Sequence, residues 1–229
     1  MPSPNIELLT QIAKRLGPLL QEVVFVGGCT TGLFLTDEAA GEVRPTFDVD
    51  AIAEIATYAE YVAFSERLRA EGFREDTSEG APLCRWLIDG MKLDVMPTDE
   101  KVLGFKNRWY QAAIEAAQEM ELEPGFTIRV ITAPYFIATK LDAFRDRGKG
   151  NYTSSHDLED LLTVVDGRAS IVEEITSSAE LHPYIAEQFS NLLQTKDFLD
   201  ALPGYLLPDP ISQARVTLLR DRMKQVCNV

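Results

Sequence analysis

The sequence predicts an α/β (α+β) fold, with an N-terminal mixed β-sheet core and a C-terminal helical bundle. Strand-like segments alternate with helical patterns as far as residue 132, and only helical patterns follow. Hydrophobic residues make up 45% of the 229 residues, which is enough to bury a substantial core. We therefore divide the chain into two predicted domains, residues 1–132 and residues 133–229.

The spacing of apolar residues predicts each element of the first domain. An amphipathic helix spans residues 5–21, because its apolar residues recur at intervals of three and four. Asp89-Gly90, between two strand-like runs, is a hairpin signal. After the first helix we predict, in order, a strand ending in two glycines (23–28), a turn into a short helix (29–35), a strand (46–54), a helix (58–73), two strands (84–90 and 91–97), a helix (107–121) and a strand (126–132).

The second domain contains helical patterns and no strand-like run. Ser154-Ser155 stands at the start of one of them, and serine is a favoured residue at helix N-termini. The predicted helices cover residues 133–147, 154–167, 170–180, 182–202 and 210–226.

Charge, cysteine content and hydropathy narrow the class of protein. The 36 acidic and 22 basic residues give a formal charge of −14, which disfavours an extended polyanion-binding surface, so we expect any nucleic acid to be held locally. The three cysteines form no CxxC pair and indicate neither a disulfide framework nor a structural zinc site. No signal-peptide pattern and no run of the ~20 apolar residues of a membrane span occurs. We expect a soluble, cytoplasmic protein with no membrane partner.

Two aspartates interrupt the apolar strand-like run at residues 46–54. Asp48 and Asp50 are two residues apart, so a strand would place both side chains on one face. Their like charges repel unless they face water or share a divalent cation such as Mg²⁺. About six acid-x-acid pairs are expected by chance in so acidic a chain, so the pair by itself does not identify a metal site.

Further residues of the first domain could also bind a metal ion or a phosphate group. Asp94 lies between apolar residues of a later strand, where it is either an edge-strand charge or a third carboxylate for one or two metal ions. Gly27 and Gly28 end a strand and form either a plain tight turn or a place where backbone N–H groups approach phosphate. Thr30 and Thr31 would add hydroxyl donors at that turn.

Two charged residues of the helical half have a structural and a functional interpretation each. Lys140 lies in an otherwise apolar helical stretch, where it either extends to solvent or faces an anion. Asp157 shares a helix face with Asp160 near the helix N-terminus, where either carboxylate could complement the helix dipole.

These motifs, in this order, resemble the DNA polymerase β-like nucleotidyltransferase superfamily. The resemblance is carried by Gly-Gly after a strand, by Thr-Phe-Asp-Val-Asp at 46–50 and by Lys-Leu-Asp-Val-Met at 92–96. Within the superfamily the chain is similar to the AbiEii/AbiGii-type toxin family, whose helix lysine and helix aspartate match the segment 138–161. The family's arginine before that aspartate is replaced by His156, so its contact would pass to Arg145 or Arg147.

The resemblance assigns a role to each matching residue. Asp48 and Asp50 would hold Mg²⁺ (or Mn²⁺), and Asp94 would be the third metal-binding and catalytic acid. Lys140 would contact the triphosphate of the NTP substrate, and Asp157 would be the helix acid near it. Gly27 and Gly28 would form the turn that approaches the phosphates.

The implied function is transfer of an NMP, or a short nucleotide addition, from an NTP to an acceptor hydroxyl. The helical domain would complete the active-site cleft. One acceptor is a tRNA 3′ end, as in a toxin-antitoxin system with a cognate antitoxin, on a locally basic cleft drawn from Lys101, Arg145, Arg147 and Lys149. The acidic charge also suits a cationic small molecule such as an aminoglycoside. A non-catalytic nucleotide-binding protein of the same fold is the third alternative.

Overall fold

The computed structural model describes residues 3–104, 107–148 and 150–228. Contacts divide the chain into two compact units. The first unit comprises Met1–Gly32 and Pro45–Thr132, and the second comprises Leu33–Arg44 and Ala133–Val229. The predicted α/β (α+β) class is confirmed, since the first unit is built on a mixed sheet and the C-terminal part is helical.

A mixed sheet forms the centre of the first unit. Its seven strands within the described residues lie in the order β3-β4-β5-β2-β1-β7-β6. Strand β1 pairs antiparallel with β2 and parallel with β7, while β2 pairs parallel with β5. The strands are β1 (Val23–Val26), β2 (Val49–Ala53), β3 (Arg74–Glu75), β4 (Arg85–Ile88), β5 (Met91–Pro97), β6 (Gln118–Glu123) and β7 (Phe126–Val130).

The opening helix is shorter than the sequence pattern predicts. Helix α1 (Pro4–Arg15) is capped by the Ser3 hydroxyl and packs against β2 and β5. It ends at Arg15, two residues before Gly17, which has a φ of 53° and is followed by proline, and a 3₁₀ helix (Gly17–Glu22) continues the chain. The prediction of one helix over 5–21 is therefore wrong in its last turns.

A second correction concerns residues 107–121, which the sequence pattern predicts as one helix. Helix α4 (Tyr110–Glu115) covers only their first part, and β6 begins at Gln118. The turn at Gly125, with a φ of 76°, returns the chain into β7, so that β6 pairs antiparallel with it. Backbone pairing with an available strand therefore outweighs the helical propensity of this glutamate-rich segment.

The remaining helices of the first unit connect its strands. A Thr57/Glu60 capping box begins α2, in which the Thr57 hydroxyl and the Glu60 carboxylate each accept a backbone N–H. A 3₁₀ helix (Gly28–Phe34) directly follows β1 and its turn. The α-helices between β2 and β6 are α2 (Tyr58–Ala70), α3 (Glu100–Leu103) and α4.

The second unit is a helical bundle to which the segment 33–44 contributes. Within it α5 packs against α6 and α8, and α10 packs against α6, α7 and α8. The predicted helix 182–202 is interrupted at Thr195, whose extended backbone separates α8 from α9. Among the described residues, no helix combines the length and the apolar character that a bilayer span requires. The α-helices are α5 (Ala133–Ala143), α6 (His156–Gly167), α7 (Ile171–Thr176), α8 (Leu181–Gln194), α9 (Lys196–Ala201) and α10 (Pro210–Cys227), with a π-helical turn (Phe144–Gly148) and a 3₁₀ helix (Leu202–Tyr205).

The hairpin between β4 and β5 depends on two residues with positive φ. Asp89 and Gly90 have φ angles of 49° and 81°, as a two-residue hairpin turn requires. We expect Gly90→Ala to lower the free energy of unfolding by about 1 kcal/mol, because a Cβ atom is disfavoured in this region. Urea denaturation measures the change. Gly41→Ala is the control, since Gly41 has no positive φ and open space around the added carbon; equal losses in the two variants would contradict the argument.

Candidate functional site

Three charged residues form one row across the sheet of the first unit. In the parallel pair of β2 and β5, Asp50 lies opposite Asp94, and in the antiparallel pair of β4 and β5, Asp94 lies opposite Arg85. Residues directly opposite one another in a sheet project from the same face. The sheet register therefore places two carboxylates and one guanidinium side by side.

Arg85 connects Asp94 to Asp48, which stands one residue before β2. The Arg85 Nε atom donates to Asp94 Oδ1 at 2.8 Å, and Nη2 donates to Asp94 Oδ2 at 2.7 Å. The same Nη2 atom also donates to Asp48 Oδ2 at 2.8 Å. Two of the three predicted acids thus share one guanidinium nitrogen.

The environment of this group ranges from buried to open. The Asp94 side chain is 9% exposed and that of Arg85 is 16% exposed, whereas Asp48 is 37% exposed. Hydrogen bonds from Arg85 to Asp94 and the charges of both aspartates raise the pKa of Arg85. Burial, reinforced by the charges of Asp94 and Asp50, raises the pKa of Cys84 to about 12, so its thiol is protonated and is no nucleophile at neutral pH.

Gly27 leaves room for the Asp50 carboxylate. Gly27 has a φ of 74°, and a Cβ atom there would lie 1.9 Å from Asp50 Oδ2 and 2.7 Å from its Cγ. No other residue type fits this position without displacing the carboxylate. The predicted glycine turn and the predicted acids are therefore neighbours in the structure.

Thr30 and Thr31 are fully buried in the 3₁₀ helix that follows this turn. The Thr30 hydroxyl donates to the Gly27 carbonyl oxygen at 2.8 Å, which stabilises the turn itself. The Thr31 hydroxyl has no hydrogen-bond partner among the described residues. Their assignment as hydroxyl donors to phosphate stays a prediction.

Lys140 and Asp157 meet in the second unit, where Asp160 joins them. The Lys140 Nζ atom lies 2.7 Å from Asp160 Oδ2 and 3.4 Å from Asp157 Oδ1. Arg44 Nη2 contacts both Asp160 oxygens at 3.2 Å, and Arg147 makes a bidentate pair with Asp157 at 2.7 and 2.8 Å. Three cations thus surround two carboxylates, of which Asp160 is 1% exposed. The proposed contact of Lys140 with a triphosphate stays a prediction.

Asp157 is ionised by its neighbours in spite of its burial. Burial by itself raises the pKa of this carboxyl group, but the hydrogen bonds from Arg147 and the charges of Lys140 and Arg147 outweigh it. The net result is a pKa below the ordinary aspartate value of 3.8. The carboxylate also lies in the first turn of α6, where the helix dipole favours a negative charge.

Of the basic residues predicted to line a cleft for RNA, two have carboxylate partners. Arg145 Nη2 lies 2.7 Å from Asp142 Oδ1, and Arg147 binds Asp157. Lys101 is exposed on α3 of the first unit, and Lys149 lies outside the described residues. The basic cleft stays a prediction.

The sequence prediction missed Arg85 and Arg44, although a signal for Arg85 was present. A two-residue turn at Asp89-Gly90 pairs Ile88 with Met91, and counting outward along the hairpin then brings Arg85 opposite Asp94. No comparable signal exists for Arg44, which lies 116 residues before its partner Asp160.

The carboxylates of the first unit suit a hard divalent cation. Mg²⁺ takes oxygen ligands and is usually held by one or two carboxylates together with substrate phosphates. In the described part of the chain, no three His, Cys, Asp or Glu side chains already surround one ion position, and Arg85 lies between Asp48 and Asp94. The residues therefore fit an ion shared with a nucleotide better than a closed cage of protein ligands.

Comparison with known proteins does not assign a function to this chain. No family model matches the chain, and no curated protein matches it significantly. The motifs and the geometry of the two charged clusters are accordingly the observations from which a function is inferred.

The close approach of Gly27 to Asp50 can be tested by adding one carbon. We expect Gly27→Ala to lower the free energy of unfolding by about 2 kcal/mol or more. The added Cβ atom would overlap the Asp50 carboxylate, and the positive φ at this position is unfavourable for any residue with a Cβ atom. Gly80→Ala is the matched control, because Gly80 has a φ of 80° with open space around it and isolates the backbone effect. Equal losses in chemical denaturation would show that Asp50 does not lie against Gly27.

Asp157 should make stability depend on pH in the acid range. Its pKa is lower in the folded chain than the ordinary value of 3.8, so its contribution is complete above that value and disappears as the pH falls through the folded pKa. We expect Asp157→Asn to lose about 2 kcal/mol near pH 7, because the buried Lys140 ammonium group loses one of its two carboxylate partners, and to differ less from wild type below about pH 3.5.

Denaturant titrations across this pH range measure the effect. Asp200→Asn is the control, since the pair of Asp200 with Lys196 is exposed and should contribute little to stability at any pH. A difference between wild type and Asp157→Asn that stays constant with pH would contradict the assignment.

Proposed function

We propose that this protein is a Mg²⁺-dependent nucleotidyltransferase, which transfers an NMP from an NTP to an acceptor hydroxyl. The observation that carries the proposal is the register that brings Asp94 beside Asp50, two residues from Asp48 and against the Gly27 turn. Neighbouring carboxylates commonly hold Mg²⁺ together with substrate phosphates, and a glycine turn allows backbone N–H groups to approach those phosphates. The resemblance of the motifs to the polymerase β-like superfamily supports the same chemistry.

The charge of the first-unit cluster favours a divalent cation. Asp48 and Asp94 share the one guanidinium of Arg85, which leaves an excess of one negative charge among these three residues. An NTP brings further negative charge, so a cation is needed before its phosphates can approach. Asp48 and Asp50 are the ligands we assign to Mg²⁺ (or Mn²⁺), with Asp94 as the third acid.

In the reaction, an acceptor oxygen forms a bond to the α-phosphorus while the bond to the departing pyrophosphate breaks. Bound Mg²⁺ supplies charge neutralisation at the phosphates and lowers the pKa of the acceptor hydroxyl. The turn at Gly27 and Gly28 would bring backbone N–H groups toward the phosphates, because neither glycine has a side chain of its own. A carboxylate of the cluster, or solvent, takes the proton of the acceptor hydroxyl. Most of the rate enhancement comes from positioning and electrostatics.

Net charge is the observation that supports a second candidate acceptor. The formal charge of −14 repels a polyanion and attracts a cation, which favours a cationic small molecule, such as an aminoglycoside, as a second candidate acceptor beside a tRNA 3′ end. An RNA acceptor requires a local group of basic residues that outweighs this charge. A toxin-antitoxin system is proposed only with the RNA acceptor.

Incorporation of label from each α-labelled NTP tests the function. Reactions contain Mg²⁺ and either total tRNA or an aminoglycoside. We expect Asp48→Asn and Asp50→Asn each to lower product formation by about a hundredfold or more, because each removes a negative charge assigned to hold the metal ion. Asp89→Asn is the control, since Asp89 lies in the hairpin turn, where asparagine tolerates its positive φ.

Each outcome of this assay separates the alternatives. Label in tRNA identifies an RNA acceptor, and label in the aminoglycoside identifies a small-molecule acceptor. Equal product from wild type and the two aspartate variants would overturn the assigned site. Mg²⁺-dependent NTP binding without any product would leave a nucleotide-binding protein that has lost turnover.

A further inference from the structure

Arg85 occupies the position between two carboxylates that are assigned to metal binding. Its Nη2 atom lies 2.8 Å from Asp48 Oδ2 and 2.7 Å from Asp94 Oδ2. Its Nε atom adds a third hydrogen bond at 2.8 Å to Asp94 Oδ1. Charge-assisted, bidentate contacts of this kind are among the strongest hydrogen bonds in proteins.

Arg85 cannot be an accidental surface partner. It is directly opposite Asp94 in the β4–β5 ladder, so the backbone register brings the two together, and its side chain is only 16% exposed. The β2–β5 register in turn places Asp50 beside Asp94. The guanidinium is therefore built into the acidic row by the sheet itself.

A metal ion and Arg85 would compete for the same oxygens. Mg²⁺ binds oxygen ligands at about 2.0–2.1 Å, so an ion that bridged Asp48 Oδ2 and Asp94 Oδ2 would occupy the space of the Arg85 Nη2 atom. The two cations would also repel each other at this distance. Binding of the ion by both carboxylates requires Arg85 to leave them.

We infer that Arg85 is an internal counter-cation that competes with the divalent cation for Asp48 and Asp94 and thereby lowers the metal affinity of the nucleotide-free protein. This inference rests on the proposed function, since it concerns the metal of that site. Arg85 neutralises part of the carboxylate repulsion in the metal-free state, so the site stays folded without an ion. Its release accompanies metal binding and leaves the guanidinium available to an anion.

Direct measurement of Mn²⁺ binding tests the competition without relying on activity. Electron paramagnetic resonance reports free Mn²⁺ during titration of nucleotide-free protein. We expect Arg85→Gln to bind Mn²⁺ about tenfold more tightly than wild type, because the competing charge is removed while a polar side chain of similar length remains. Arg85→Lys keeps the positive charge but loses the planar guanidinium group that binds a carboxylate through two nitrogens. Its affinity for Mn²⁺ should therefore lie between those of wild type and Arg85→Gln.

A matched control separates this effect from a general change of charge. Arg67→Gln removes the same charge from the same unit, where Arg67 pairs with Glu22 on the surface. We expect its Kd for Mn²⁺ to stay within about twofold of wild type. Melting temperatures give an independent readout: Mn²⁺ should raise that of Arg85→Gln more than that of wild type, since tighter binding to the folded state stabilises it further.

The possible results are distinguishable. Equal or weaker Mn²⁺ binding by Arg85→Gln, with binding by wild type intact, overturns the competition and leaves the proposed function standing. Absence of Mn²⁺ binding by wild type, Arg85→Gln and Arg85→Lys, each shown by circular dichroism to be folded, overturns the competition and the proposed metal site together. Tighter binding by Arg85→Gln alone supports the inference, even where no acceptor substrate has been found.

Discussion

The charge balance among Asp48, Asp50 and Asp94 is the constraint on which the rest of the first unit depends. Carboxylates that strand register forces together repel one another, and a nearby cation relieves the repulsion. For Asp94 and Asp48, Arg85 on the paired strand of the β4–β5 hairpin supplies such a cation. The positive φ at Asp89 and Gly90 sets the hairpin register, so a two-residue turn determines which cation meets the acids.

The second unit balances its charges by the same rule. Buried carboxylates at Asp157 and Asp160 are matched by Lys140, Arg44 and Arg147, and Asp160 receives contacts from two of these cations. Arg44 belongs to the segment 33–44, so its contact also attaches that segment to α6. Removing one partner from such a group leaves a buried charge uncompensated, which costs far more than an exposed pair contributes.

The two clusters differ in what they offer to a ligand. The first carries excess negative charge beside a glycine turn, and one of its aspartates is more than a third exposed. The second is rich in cations, but its lysine is buried among carboxylates. The first cluster is therefore the one for which a divalent cation and a nucleotide are proposed, and the observed contacts of the second cluster are internal ion pairs.

Local patterns in the sequence determined the fold class, most elements and the grouping of the acids. Alternating apolar residues, glycine turns and the Asp89-Gly90 signal act within a few residues, so β1, β2, β4, β5 and the two aspartates could be located from the chain alone. The tertiary structure decided what local propensity cannot. Pairing with β7 turned a glutamate-rich segment into β6, and the backbone at Thr195 divided a predicted helix.

The partners of the charged residues were likewise decided by the tertiary structure. Arg44 reaches Asp160 across 116 residues, and Asp50 meets Asp94 only because β2 and β5 are neighbours in the sheet. Which charged residues pair with one another depends on the distances between them in the folded chain, and the sequence alone does not give those distances. The sequence by itself therefore determined which chemical groups the protein possesses, and the fold decided which of them neutralise one another.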